Sequence, residues 1–364
     1  MTWKISRTRT LFASAATMGA AMFAPSALAQ TPASYSVVNI PGGALQAGET
    51  FSGVSDTGAT WGNLANGAGV IRLAGSTAPI TVAPSSPYNK VTFNGLAGDI
   101  FYGAMQKSDN SASVAILVGT NGAVTKPVLP AGYTRGSFVG AAKDNTTLYV
   151  QAYADASNAT VLSYNSKKKT WAAVPGVLDN DFVTGSNAGG LWGLNHDAGT
   201  PFIYNFASGE RTSIGSVGVR IKDVDFATGD VAVTQPDHTA AVFNASTNNS
   251  YVLSDVPVND LPSSGVGVLE LGPNVFGVNK IDTLRGNLQY VDMVASRAGD
   301  GAFAGTFWTN TTGLFIWTRL AQSNFLLNSL ISHSSKGVLL ATGTIGAGAN
   351  KGKPTVFELK PSGM

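Results

Sequence analysis

The chain has no cysteine, so neither a disulfide nor a thiolate metal site can form. Histidine is confined to His196, His238 and His333, and glutamate to Glu49, Glu210, Glu270 and Glu358, none in a recognisable motif. Aspartate is plentiful, so paired-carboxylate glycoside hydrolysis stays open. A nucleophile elbow is missing, because Gly53-Val54-Ser55-Asp56-Thr57-Gly58 has the wrong spacing and no helical pattern follows it. No phosphate-cradling loop occurs either. Charged residues make up only 12% of the chain, which excludes the concentrated basic surface that nucleic acid requires. The single basic cluster, Lys167-Lys168-Lys169, lies between a strand pattern and Trp171 and reads as a solvated turn. Helical periodicity is missing almost throughout. Past the N-terminus no run is long and apolar enough to cross a bilayer.

What the N-terminus does contain is the pattern of a secretory signal. Lys4, Arg7 and Arg9 form a cationic stretch, residues 11–24 are small and apolar, and Pro25-Ser26-Ala27-Leu28-Ala29 ends in an Ala-x-Ala site. The expected leader is therefore 1–29, cleaved before Gln30, and the mature chain 30–364 is periplasmic or extracellular. The apolar run falls short of the roughly 18 residues an anchor helix needs. Thr8 separates Arg7 from Arg9, so the adjacent arginines of the twin-arginine route are missing. Removing three basic residues from 23 leaves 20 against 21 acidic ones, a net charge near −1. An exported chain without disulfides must be held by burial and hydrogen bonding alone.

The feature that organises the rest is a repeat. Its clearest copy is a tight turn at Gly299-Asp300-Gly301, an apolar strand Ala302-Phe303-Ala304-Gly305, a polar loop over 306–312 and a strand Leu314-Phe315-Ile316-Trp317. Weaker copies centre on Thr60-Trp61-Gly62, Phe101-Tyr102-Gly103, Leu148-Tyr149-Val150, Leu191-Trp192-Gly193, Val231-Ala232-Val233, Val275-Phe276-Gly277 and Val338-Leu339-Leu340. The spacing is about 41–46 residues through six copies, within the range of propeller blades, and shortens to about 28 before the clearest one. A lone four-stranded sheet cannot bury its two apolar faces, whereas sheets stacked radially bury both and leave only short edges. The fold class expected is all-β, one closed β-propeller of eight (or seven) blades of about four antiparallel strands. Tyr35-Ser36-Val37-Val38-Asn39-Ile40 is a strand without a blade and is expected to close the ring as the outer strand of the last one. Gly58, Gly229 and Gly337 fall in turns that call for positive φ. Gly62, Gly103, Gly193, Gly277 and Gly305 are expected to end second strands, where a side chain would crowd the next blade.

Two resemblances follow from these motifs. Gly301-Ala302-Phe303-Ala304-Gly305 and Gly313-Leu314-Phe315-Ile316-Trp317 resemble the HAF-type repeat of secreted bacterial proteins, with Gly313-Leu314 in place of His-Ala. The last copy, from Ser334-Ser335-Lys336-Gly337 onward, is similar. That resemblance implies an exported propeller and no particular activity. Asp56-Thr57-Gly58-Ala59-Thr60-Trp61 looks like the Asp-box turn of sialidase-like propellers, with Val54 where that motif has serine. The Asp-box is a structural hairpin, it occurs once, and the scattered arginines do not supply a sialidase's cluster.

In such a fold the second-to-third-strand loops share a face with the segments entering each blade, and function sits on loops held by a rigid scaffold. Two neighbouring copies set histidine beside aspartate there, as His196-Asp197 and Asp237-His238. These are the candidate binding groups for one metal ion or one sugar; the alternative is two exposed turn histidines. Trp308 follows an apolar strand into a loop, where it would stack on a sugar or pack against a neighbour. Asp179-Asn180-Asp181 and Asp223-Val224-Asp225 would hold Ca²⁺ or another divalent metal through oxygens, or form Asx turns. His333 reads as an inter-strand turn residue on the opposite face. The resulting expectation is a monomeric, non-catalytic exported propeller without a cofactor beyond such a metal. Its partner would be a glycan, a cell-envelope component or a protein. The alternative is a hydrolase or lyase acting on a polysaccharide through His196, His238 and nearby aspartates.

Overall fold

The computed structural model describes residues 34–155, 157–214, 218–226, 229–234, 240–244, 249–252, 281–285, 288–296, 303–309, 314–320, 325–334, 338–345 and 349–361. Every element in it is a strand. β1 (Ser34–Asn39) precedes blade one, made of β2 (Thr50–Val54), β3 (Thr60–Asn63), β4 (Gly69–Arg72) and β5 (Ile80–Val82). Blade two is β6 (Lys90–Ala97), β7 (Ile100–Gln106), β8 (Ser113–Gly119) and β9 (Val124–Thr125). Blade three is β10 (Arg135–Ala141), β11 (Thr147–Tyr153), β12 (Ala159–Asn165) and β13 (Thr170–Ala173). Blade four is β14 (Asp181–Asn187), β15 (Gly190–Asn195), β16 (Thr200–Asn205) and β17 (Glu210–Ser213). Blade five is β18 (Arg220–Asp225), β19 (Asp230–Thr234), β20 (Ala240–Asn244) and β21 (Asn249–Val252). Then come β22 (Ile281–Arg285), β23 (Leu288–Ser296), β24 (Phe303–Thr309) and β25 (Leu314–Leu320), followed by β26 (Phe325–His333), β27 (Leu339–Ile345) and β28 (Pro354–Pro361).

β1 pairs antiparallel with β28, matching Val38 to Glu358, so the N-terminal segment supplies the fourth strand of the last blade, as its sequence suggests. The first strands touch in the order β2, β6, β10, β14, β18, β22, β26, and β26 in turn touches β2. Among the described residues this makes five separate four-stranded blades and one eight-stranded sheet, in which β1 also pairs parallel with β25 and so joins the four-strand units β22–β25 and β26–β28 with β1; the copy at Val275-Phe276-Gly277 lies outside them.

Two sequence expectations need correction here. Ile281–Arg285 is the first strand of its blade, and Leu288–Ser296 is its second strand. The clearest copy of the repeat therefore supplies the third and fourth strands, β24 and β25, and not the second and third. The glycines also do not end strands. Gly62, Gly103 and Gly193 lie inside β3, β7 and β15, opposite a bulge in the first strand of their own blade. A Cβ there would collide with the carbonyl oxygens of Thr50, Thr92 and Phe182. The crowding is thus within the blade, and the bulge brings the two backbones too close for a side chain. Gly305 likewise faces the irregular step between Val291 and Val294, and β24 runs on past it. In blade three the same register holds Val150, fully buried, so the close approach is not universal.

Among the described residues the core is divided into apolar layers between successive sheets. Trp61 and Ile71 of blade one pack with Phe93 and Phe101 of blade two, Tyr102 and Leu117 with Phe138 and Leu148, and Tyr149 and Val161 with Leu191 and Phe202. Trp192 joins Ile221 and Val231 of blade five, and Val54 joins Val338 and Leu340 of the last blade. Each such fully buried side chain contributes about 1.5–3 kcal/mol. The outer strands β9, β13 and β17 are largely exposed, as short edges are. Burial pushes the ionisation of Tyr102 up to about 12.

Arg72, fully buried on β4, fixes the path of the segment after β1. Its guanidinium donates to the carbonyls of Pro41, Gly42, Gly43 and Ala44 and to both carboxylate oxygens of Glu49, the nearest at 2.7 Å. A charge this deep is tolerated only when paired and fully hydrogen-bonded, and the segment wraps around the guanidinium to meet that need.

Candidate functional site

Antiparallel blades put second-to-third turns and blade-entering segments on one side, and the other turns on the opposite side. On the first side these segments are tied to one another. Val91 donates to the carbonyl of Gly67, and the Asn63 amide to the carbonyl of Val91. Ser108 bonds Asn89. Arg135 donates to the carbonyls of Asn110 at 2.8 Å and Asp155 at 3.1 Å. Asn180 accepts from the amide of His196, and its own backbone donates to Ala159.

Blades three and four add a continuous row of half-exposed rings to this side. The Arg135 guanidinium lies 4.6 Å from the Tyr153 ring centre. Tyr153 meets Phe182 at 6.0 Å and 54°, and Phe182 meets His196 at 5.6 Å and 55°. Arg135 opens β10, Tyr153 closes β11, Phe182 is second in β14, and His196 follows β15. Burial raises the Tyr153 ionisation, opposed by the Arg135 charge.

Beneath the row the base is fixed by a saturated polar network. Asp181 is fully buried and accepts from Arg211 at 2.6 and 2.8 Å, from Asn195 at 2.9 Å and from the amide of Leu178 at 2.9 Å. Arg211 also lies over Phe202. Gln151 of β11 donates to the Asp181 carbonyl and accepts from the Val183 amide, clamping blade three to blade four on either side of Phe182.

The sequence candidates divide accordingly. His196 and Asp197 are exposed on this side, and the Asp197 carboxylate accepts from the Asn180 side chain at 3.0 and 3.2 Å. Asp237 and His238 lie outside the described residues. Trp308 is not in a loop: it sits within β24, paired with Gln289 and Phe315, in a third strand whose following turn belongs to the opposite side. Its expected place rested on Gly305 ending a strand, and the strand continues to Thr309. His333 closes β26 opposite Leu339 and is a strand residue, not a turn residue. Asp181 commits both carboxylate oxygens to Arg211 and its neighbours, so in Asp179-Asn180-Asp181 it serves the network rather than a cation. Lys167, Lys168 and Lys169 form an exposed turn capped by Asn165, as expected. Among the described residues no group of three His, Asp or Glu could hold a metal. Arg135, Tyr153 and Phe182 escaped the sequence reading, although an aromatic ending a second strand ahead of a polar loop was a usable signal.

No family model matches the chain, and no curated protein matches it. Solved structures do. The β-propeller domain of the Trilobed protease from Pyrococcus furiosus is 9% identical, with 87% of this chain and 95% of that one covered and a TM-score of 0.50. YCF48 bound to a D1 peptide is 10% identical over 93% and 98%, with a TM-score of 0.49. The WD40 repeats of RRP9 are 12% identical over 91% and 99%, with a TM-score of 0.48. Identities this low speak to the fold alone; the likeness to the Pyrococcus domain, with the four-stranded antiparallel units, makes it a β-propeller. The Pyrococcus domain is described as having an open velcro topology, whereas here β1 pairs with β28.

Proposed function

We propose that the mature chain is an exported, non-catalytic β-propeller that docks a protein partner on the side carrying Arg135, Tyr153, Phe182 and His196. The observation that carries this reading is the row itself, half-exposed rings and a guanidinium held in line by a buried network. Interface hot spots are rich in Tyr and Arg on rigid supports, because little conformational entropy is lost when they bind. A sugar stacks on an open ring face. Tyr153 already carries Arg135 on one face and Phe182 meets both neighbours at a tilt, so the row favours a protein segment over a glycan.

The test is a photo-crosslinking residue placed at Phe182 in the exported chain in its own cells, with a second at Asp144 on the opposite side. A discrete protein adduct from position 182 that is lost with Tyr153→Ala supports the reading. An identical adduct from position 144, or an adduct indifferent to Tyr153→Ala, overturns it.

A further inference from the structure

We infer that the docked segment is basic, an extended stretch whose lysine or arginine side chains lie along the Tyr153–Phe182 row. This rests on the row being a protein-docking surface and goes on to name the partner's chemistry. The charges around the row decide it. Asp155, Asp179 and Asp197 are all exposed there; the described cations on this side are Arg135 on the row itself, Lys107 in the turn it is bonded to and Arg220, which opens β18 in the next blade. Among the described residues no ion pair engages any of the three carboxylates.

The hydrogen-bond donors to Asp155 and Asp197 are neutral, and Arg135 acts on Asp155 through its charge without a direct ion pair. Asp155 accepts from the Ser157 and Asn158 amides and the Asn158 side chain, and these bonds hold its carboxyl below the usual carboxylate range. Among the described residues Asp197 accepts from the Asn180 side-chain amide. These bonds also fix where the carboxylates sit: Asp155 two residues beyond Tyr153, and Asp197 beside His196 at the far end of the row. Arg135 is held in place by the Asn110 and Asp155 carbonyls and by the Tyr153 ring, so its charge stays at the Asp155 end of the row. A side chain with an apolar stem and a cationic head suits a strip of rings flanked by fixed anions. The stem covers ring edges, and the head reaches the carboxylates.

The experiment titrates the whole mature chain, at low salt, with three short unstructured peptides that alternate serine with lysine, glutamate or tyrosine. The expected result is binding of the lysine peptide alone, weakened about tenfold or more by Asp155→Asn with Asp197→Asn and by Phe182→Ala. Asp144→Asn, on the opposite side, is expected to leave it unchanged. Equal binding of the glutamate peptide overturns the inference, as does equal weakening by Asp144→Asn or no binding of the lysine peptide. If the tyrosine peptide binds in a Phe182-dependent way and the lysine peptide does not, the basic partner is wrong while the docking surface stands.

Discussion

Asp181 and Glu358 are both buried carboxylates at a junction between blades, and their surroundings treat them in opposite ways. Asp181 has a guanidinium, an amide side chain and a backbone amide on its two oxygens. Glu358, opposite Val38 of the N-terminal strand, has Lys360 at 3.3 Å from one oxygen and, among the described residues, no hydrogen-bond partner on the other. The turn of blade one presses on it: a Cβ at Gly58, whose φ is +81°, would lie 2.8 Å from the Glu358 oxygen and from the Lys360 nitrogen. A saturated buried charge anchors its neighbours in one arrangement, whereas an unsaturated one destabilises its junction. The saturated charge lies under the proposed docking row, and the unsaturated one lies where the N-terminal strand meets blade one.

The largest effect should come from breaking the saturated side. Arg211→Met leaves Asp181 buried without its cation, and an unfolding midpoint in urea should report a loss of about 3 kcal/mol. Adding Asp181→Asn to that variant should recover part of the loss, because the two positions are coupled. Next comes Gly193→Ala, which forces a methyl against the Phe182 carbonyl at the bulge and should cost about 2 kcal/mol. It should also displace the Phe182 ring and weaken docking in the crosslinking assay. A smaller effect of opposite sign is expected at the other junction. Glu358→Gln removes an incompletely partnered charge at constant volume and should stabilise the neutral-pH protein by about 1 kcal/mol.

The pH dependence sharpens this contrast. Burial raises the Glu358 carboxyl, with Lys360 pulling the other way. The folded chain therefore holds that proton more tightly than the unfolded chain. Its favourable contribution is complete below the ordinary carboxylate range and is lost as pH climbs through the raised value. The gap between Glu358→Gln and the parent should close in acid and open toward neutrality, read as thermal midpoints across that range. Asp144 runs the other way. Hydrogen bonds from Thr146 and Thr147 depress its carboxyl, so its contribution is present above the ordinary range and fades as pH falls.

Much of the scaffold was legible because the repeat writes its physics locally. Turns, Trp61-like aromatics and outer strands recur with the blade, and an orphan strand at 35–40 needed a sheet with a vacancy. The error at residues 281–308 has a physical source. A glycine opposite a bulge and a glycine ending a strand look alike in sequence, and the mistake at Gly305 carried Trp308 to the wrong side. The docking row was not legible, because Tyr153 meets Phe182 only through the junction of two blades that Gln151 and Asp181 fix. His196 was found by its residue type, and its neighbours only by geometry.

The most direct measurement is a hydrogen-exchange footprint of the lysine–serine peptide on the mature chain. The account predicts protection at Arg135, at residues 153–158, around Asn180–Phe182 and at His196, with no change at 142–147 or 165–169. Protection that spares the first group, or appears equally on the turns of the opposite side, would contradict it.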